Sequence, residues 1–389
     1  MKKHAGDDHL APCPICSQAG RLIHSTEFSQ RAALPTHVGV YVCTSCSFGF
    51  NFPRPKEAYE QYYAQYQNDQ LSQNWQISES EMKRYQGQIS VLSTYLSCSR
   101  VLRVLDFGCG EGGLLHIMAL GYGQHRYFGC DANALTHMRE DGVSFHRSLT
   151  ELNGLYDVIV LSHVVEHLVD FDVLKKISEL LTQTGVVYME VPDAGAYECY
   201  PRREFLYYFD RLHVNHFTSQ SLVKIVDAYG LAPRKLGAQS FGYKDGNLFP
   251  AVYGVFSREV TIPDIPSVID LNSSFCRYVA DENVRLKTVY ETLRNEHQIV
   301  AYGFGDNFFR SFGLDGPFAD VPLVAVVDQR ATELSKENKW LGRFNFLDTE
   351  TASARFPDAM WVITVSWGGE AIAQVLQEQG VPQTRMLFL

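Results

Sequence analysis

The chain has 389 residues, 46% of them hydrophobic and 20% charged, with a formal net charge of −10. Such a length exceeds one ordinary core, and such a composition excludes a disordered chain, so two or three folded domains are expected. The acidic balance argues against a non-specific nucleic-acid binder, which needs a basic surface. The opening stretch has no apolar segment of a secretory signal, and no apolar run approaches the ~18 residues of a membrane span. Nine cysteines, four of them in two CxxC pairs, give no disulfide framework. A reducing, cytoplasmic setting without a membrane partner is therefore expected.

The first pairs are Cys13-Pro-Ile-Cys16 and Cys43-Thr-Ser-Cys46. Each CxxC turn aims two thiolates at one point, and two turns supply the tetrahedral sulfur set that Zn2+ favours. The intervening "RLIHSTEF" and "VGVYVC" read as paired strands of a zinc-ribbon-like module over residues 1–70. All four positions are protein sulfur, so the ion is expected to be structural.

A Tyr/Gln-rich stretch (59–70) and a helix near 79–97 lead into a repeating strand–helix pattern. "RVLRVLDFGCGEGG" is a strand over 101–106 and a glycine-rich turn, followed by a helix. "RYFGCDAN" is a second strand ending at Asp131, and "VSFHRSL" contains a third whose register is hard to set. "LYDVIVLSHVVEHL" is a buried strand running into a polar loop. After the helix "FDVLKKISELL", a turn at Gly185 is expected to open the strand "GVVYMEVPD". This alternation predicts a doubly wound parallel sheet with its ligand at the carboxyl ends of the strands.

A glycine-rich turn alone also suits a dinucleotide. Asp106 at the first strand tip suits a cationic amino group better than a pyrophosphate. Glu111 faces the space that a pyrophosphate would need. Asp131 can accept both hydroxyls of a ribose. Together they describe a cleft for S-adenosylmethionine (SAM).

"VLDFGCGEGGLL", "FGCDAN", "YDVIVLSHVVEHLVDFDVLKKISELLTQTGVVYMEVPD" and "HFTSQSLVKIVDAYGL" resemble class I SAM-dependent methyltransferases in motif order over 101–231. With the cysteine module, including "CTSCSFGFNFPRP", and a C-terminal Rossmann-like half, the whole chain resembles the three-part sugar C-methyltransferases. The resemblance implies an α/β fold: a Rossmann-like class I core (71–258), a linker and long helix (259–298) and a C-terminal Rossmann-like domain (299–389). It implies that Asp106, Gly108 and Gly110 contact the methionine end of SAM and Asp131 the ribose. Ser148 would lie near the adenine, and His163 would line the cofactor pocket. Glu166 and His167 read as braces of their loop, and Cys109 and Cys130 as packing residues.

The implied acceptor is a small molecule, a nucleotide-linked sugar. In that family a Tyr-His-Glu-His run before a helix start carries the base. Counted back from Phe217-Thr218, its second His falls on His213, while Leu212, Arg211 and Asp210 replace Glu, His and Tyr. His213 is the leading base, with His216, Tyr207 and Tyr208 as alternatives and Asp210 as an orienting acid. Thr218 reads as the helix N-cap, with Ser221 in the first turn. An O-methyltransferase for a glycan or metabolite hydroxyl, and a silent SAM or sugar-nucleotide binding module, are the competing readings.

Residues 236–257 read as two strands around a turn at Asp245-Gly246, completing the core sheet, and 272–297 as one helix. From Ile299 a second βαβ series begins. Phe308 stands where a dinucleotide fingerprint wants a small third residue, which disfavours NAD. The family often carries a Lys in this turn; here the residues are Asp306-Asn307. Tyr302, Asn307, Asp328 and Trp367 are expected to line the cleft.

Overall fold

The computed structural model describes residues 11–66, 76–132, 143–242, 247–259, 269–337, 342–365 and 368–389. The Asp245-Gly246 turn, Trp367 and most of the proline-containing linker lie outside these residues.

The N-terminal part contains β1 (Ala11–Pro12), β2 (Ala19–Glu27), β3 (His37–Cys43) and β4 (Gly49–Phe52), followed by α1 (Lys56–Tyr66). In β3 every residue after His37 is buried, as expected of a strand covered on both faces. Ser17 and Ser47, each one residue past the second cysteine of a pair, take left-handed backbone, with φ 59° and 56°. That conformation lets each CxxC turn fold back on itself.

The middle part opens with α2 (Glu79–Leu96), whose N-terminus is closed by a Ser78/Glu81 capping box. Then follow β5 (Arg103–Phe107), α3 (Gly113–Gly121), β6 (Arg126–Cys130), β7 (Val143–His146), β8 (Tyr156–Ser162), α4 (Asp172–Glu179) and β9 (Leu181–Pro192). The two-residue β10 (Asn215–His216), α5 (Ser219–Asp227), β11 (Ala232–Gly242) and β12 (Leu248–Ser257) complete it. The seven-stranded sheet has the order β11-β12-β9-β8-β5-β6-β7. Five neighbouring strands are parallel, while β12 runs antiparallel to β9 and β11 antiparallel to β12. The doubly wound core is thus as expected, and 236–257 does finish its edge. Pairing of β9 with β8 jumps from Tyr156↔Leu181 to Val158↔Val186, so 182–185 bulge out of the ladder and regular pairing resumes just after Gly185, as expected. A Cβ at Gly185 would meet Leu181, Thr182 and the Asp157 carbonyl at 2.8–3.0 Å, so this tight bulge needs glycine.

The C-terminal part starts with α6 (Leu271–Arg294), capped by Asp270. It continues with β13 (Ile299–Tyr302), α7 (Asp306–Phe312), β14 (Leu323–Val327), α8 (Ala331–Leu334), β15 (Phe346–Leu347), α9 (Thr349–Arg355), β16 (Met360–Ile363), α10 (Gly369–Glu378) and β17 (Met386–Phe388). Its sheet, β15-β14-β13-β16-β17, is wholly parallel.

The three parts are not beads on a string. β10 pairs antiparallel with β4, so a piece of the middle part forms the edge of the N-terminal sheet. Arg211, fully buried, donates to the carbonyls of Ser29 (2.6 Å) and Pro35 (3.4 Å) and to both carboxylate oxygens of Asp306 (3.1 and 3.2 Å). Asp306 also accepts from the Ser29 amide and hydroxyl. A second pair, Arg310 to Asp210 at 2.6 Å, runs the other way across the same seam. Glu27 binds Arg343 through both oxygens, at 2.9 Å each.

Removing one partner of such a pair strands a charge away from water. Asp306→Ala is expected to destabilise the protein by about 2–3 kcal/mol in chemical denaturation, discounted for the partial exposure of Asp306. Adding Arg211→Met should return much of that loss. A double variant no more stable than Asp306→Ala would contradict this account.

Candidate active site

The carboxyl ends of β5, β6, β8 and β9 meet at one rim. Asp106 ends the buried part of β5 and is 3% exposed. The turn after it uses left-handed backbone at Gly108 (φ 78°), Gly110 (φ 51°) and Gly112 (φ 81°). Gly110 is the informative one: a Cβ there would meet nothing within 4 Å, so the turn presents bare backbone to open space. Its amide donates to the Asp131 carboxylate at 2.9 Å, which ties the second strand tip to the first. At Gly108 a Cβ would strike Val164 at 2.3 Å, so the loop 163–167 is seated directly on the glycine turn. Ser148 lies two residues beyond β7, half-buried, with its hydroxyl 2.7 Å from that of Thr150.

Burial, then the Asp131 carboxylate, raise the pKa of Asp106 to about 7, and Arg84 offsets part of this. Arg84 is not enough to hold such a carboxylate ionised, and an arriving ammonium group would add a second cation. Arg84 and Tyr85 come from α2, which covers this rim. Sequence reasoning missed both, since nothing in a helix pattern says which face lies over a site.

His163 adopts left-handed backbone (φ 55°), unusual for a residue with a Cβ. Its Nδ1 is 3.2 Å from Glu166 and its Nε2 is 3.3 Å from Glu190. The rings of Phe241 and Phe249 stand edge-on to it. Burial opposes the imidazolium, but hydrogen bonds and charge from both glutamates outweigh it and raise the pKa. Glu190 in turn accepts from Gln88 (2.5 Å), Tyr188 (2.7 Å) and Gln239. This network beneath the rim was also unforeseen, because its members come from α2, the loop 163–167, β9 and β11, far apart in the chain.

Two imidazoles meet between the loop 163–167 and the stretch before β10. His213 packs its ring against His167 at a centroid distance of 5.0 Å. His167 donates through Nδ1 to the Leu212 carbonyl at 2.9 Å. Tyr63 of α1 stands edge-on to His167. Burial, then His167, lower the pKa of His213 to about 4, so it is neutral at neutral pH. His216 is placed differently. It is fully buried, with Nδ1 3.2 Å from the Tyr197 hydroxyl and Nε2 3.0 Å from the Asn51 side chain. With both nitrogens engaged and aromatic rings around it, His216 is a packing residue of the β4–β10 seam.

Asp210 does not orient either imidazole by a hydrogen bond. Its carboxylate accepts from Arg310 and from the Leu212 amide (2.8 Å). Tyr208 is fully buried, whereas Tyr207 is half-buried. Thr218 is the N-cap of α5, and Ser221 returns the bond to it.

Between 202–210 and the C-terminal sheet lies a cavity of about 530 Å3. Asp210, Tyr207, Arg202, Asp306, Asn307 and Arg310 are among its walls. Asp328 lines it too, but its carboxylate holds the Phe304 and Arg330 amides. Tyr302 is half-buried at the end of β13 and is not among the lining residues.

At the opposite end, Sγ of Cys13 lies 3.6 Å from Cys46, and Sγ of Cys16 lies 3.4 Å from Cys43 and 3.5 Å from Cys46. Sulfurs around one Zn2+ at ~2.3 Å are separated by roughly 3.8 Å. The amides of Ser45 and Cys46 point at Cys43 Sγ, as expected around a ligating thiolate. The spacing of the four cysteines thus fits one metal ion, which they could hold.

Residues 70–236 match the family model of a methyltransferase domain. The chain carries a methyltransferase domain. The domain includes the rim, the glycine turn and the imidazoles just described. A ubiquinone biosynthesis O-methyltransferase of Chelativorans sp. (strain BNC1) is 34% identical over 102 residues, 23% of this chain. The match spans 39% of that relative's length. Among solved structures, a SAM-dependent methyltransferase from Anabaena variabilis ATCC 29413 aligns with a TM-score of 0.39 and 16% identity, over 51% of this chain and 93% of that one. Magnesium protoporphyrin IX methyltransferase from Synechocystis PCC 6803 aligns with a TM-score of 0.35 and 14% identity, over 48% of this chain and 90% of that one.

Two outcomes follow from this geometry. If Asp106 receives the ammonium group of SAM, the affinity measured by calorimetry should fall as pH is lowered through about 7, because protonation removes the carboxylate's charge. Asp106→Asn should bind weakly and lose that pH dependence. Separately, Cys43→Ser should lower the metal content of the purified protein by one ion per chain and reduce its thermal stability.

Proposed function

We propose that this protein transfers the methyl group of SAM to a sugar, carried on a nucleotide, with His213 taking the acceptor's proton. The observation that carries the reading is the single rim where Asp106, Asp131 and the bare Gly110 turn adjoin the loop 163–167, which brings His167 against His213. The sulfonium already activates its methyl group, so the protein's task is alignment and proton removal. Asp106 meets the ammonium group, Asp131 the ribose hydroxyls and Ser148 the adenine side. His163, held by two glutamates, closes the floor beneath the methyl group.

The cavity of about 530 Å3 is the proposed seat of the nucleotide, within the range of small-molecule sites. Arg202 and Arg310 in its wall suit phosphate oxygens. The four cysteines hold a structural Zn2+, which fixes the N-terminal sheet.

A second reading, methylation at oxygen, has one observation in its favour: the sequence relative with an O-methyltransferase name. The base then works on a hydroxyl instead of a carbon beside a ketone.

Release of S-adenosylhomocysteine on incubation with SAM and a panel of nucleotide sugars is the direct test. His213→Ala should slow turnover by roughly 10²–10⁴-fold with SAM affinity unchanged. Deuterium uptake at the carbon next to a ketone, without SAM and lost in His213→Ala, supports carbon methylation. Turnover without such uptake supports oxygen. Unchanged turnover in His213→Ala removes it as the base.

A further inference from the structure

The loop 163–167 and the stretch before β10 bring three ligand-type side chains together. One donor atom each from Glu166, His167 and His213 lies within 4.8 Å of the others. Glu166 is 1% exposed, and its Oε2 has no hydrogen-bond partner. The Nδ1 of His213 is likewise buried without one. A carboxylate oxygen left alone in the interior calls for a partner. The tautomer of His167 adds a third observation. Its Nδ1 faces the Leu212 carbonyl at 2.9 Å, so Nδ1 carries the proton and the lone pair is on Nε2. That Nε2 lies 4.0 Å from Glu166 Oε1, on the side of the cluster. A ring N–H fixed by a backbone carbonyl is the usual support of a metal-ligating histidine.

We propose that Glu166, His167 and His213 form a second metal site, distinct from the four cysteines, which takes a divalent transition ion such as Mn2+ or Co2+. Two imidazoles and a carboxylate suit borderline ions, and three protein ligands leave positions open for oxygen. Donor atoms around one ion at ~2.1 Å sit about 3–4 Å apart, so small side-chain rotations close the present spacing. The metal site stands on its own geometry. Its use rests on the methyl-transfer reading: two neighbouring oxygens of a sugar acceptor would fill the positions that three protein ligands leave open. With the ion bound, the ligating nitrogen of His213 has no free lone pair, so the ion takes over from His213 as the activating group by lowering the pKa of a bound hydroxyl.

The full-length protein is titrated with Mn2+ under electron paramagnetic resonance, and separately with Co2+ under visible absorption. The expected result is one tightly bound equivalent of at least one ion. The cobalt spectrum should lack the thiolate charge transfer of a cysteine site. Glu166→Gln and His213→Gln should each lose that equivalent while binding SAM normally in calorimetry. Uptake of neither ion by the wild type, or unchanged uptake in both variants, overturns the proposal. If a variant fails to fold, anomalous diffraction from a Co2+-soaked wild-type crystal decides, and an ion found away from these three side chains overturns it. Metal uptake without S-adenosylhomocysteine release would remove the methyl-transfer reading alone. Release without metal uptake would remove the metal site alone.

Discussion

A single guanidinium holds the architecture together. Arg211 lies with no exposed surface where the N-terminal sheet, the methyltransferase domain and the C-terminal sheet converge. It satisfies two backbone carbonyls of the first and one carboxylate of the last. A buried cation is tolerable only when it is well paired, and both terminal nitrogens of the Arg211 fork have partners, while its buried Nε has none. The ring stack of Tyr197, Tyr208 and Phe275, with Phe209 and His216 against it, packs beside this seam and gives it apolar weight.

This pairing gives physical sense to what first read as separate departures from the resembled family. Asp210 and Arg211 replace the start of the histidine run, and Asp306 follows the glycines of the C-terminal turn. In the fold they answer one another: Arg211 with Asp306, and Asp210 with Arg310. Positions that look like lost chemistry in one dimension are a crossed pair of ion bonds in three. The same pairing takes Asp210 out of service as an orienting acid for His213.

The fold was legible where burial dictates residue type. β8, with six consecutive buried residues, could be little else than a central strand, and the acids at strand tips stood out because apolar runs end on them. The candidate site was legible only along the chain. His213 and His216 are three residues apart and both precede a helix, yet one packs on His167 with its Nδ1 unpartnered and the other is held between Tyr197 and Asn51. No local pattern separates them, because the difference is made by β4, more than 150 residues away. Glu190 and Gln88 were invisible for a like reason. A polar residue inside an apolar strand or on a helix face announces nothing until its partners are known.

The pairing of β10 with β4 also has a temporal side. Phe50 lies opposite Asn215 in the pairing, so the edge of the N-terminal sheet stays open on the ribosome until about 165 further residues have been made. At the usual pace of roughly 5–20 residues per second, that is on the order of 10–30 s. During that interval the newborn module carries an uncovered strand of Gly-Phe-Asn-Phe, a sticky edge. An early-bound zinc ion would keep its other end in order through the wait.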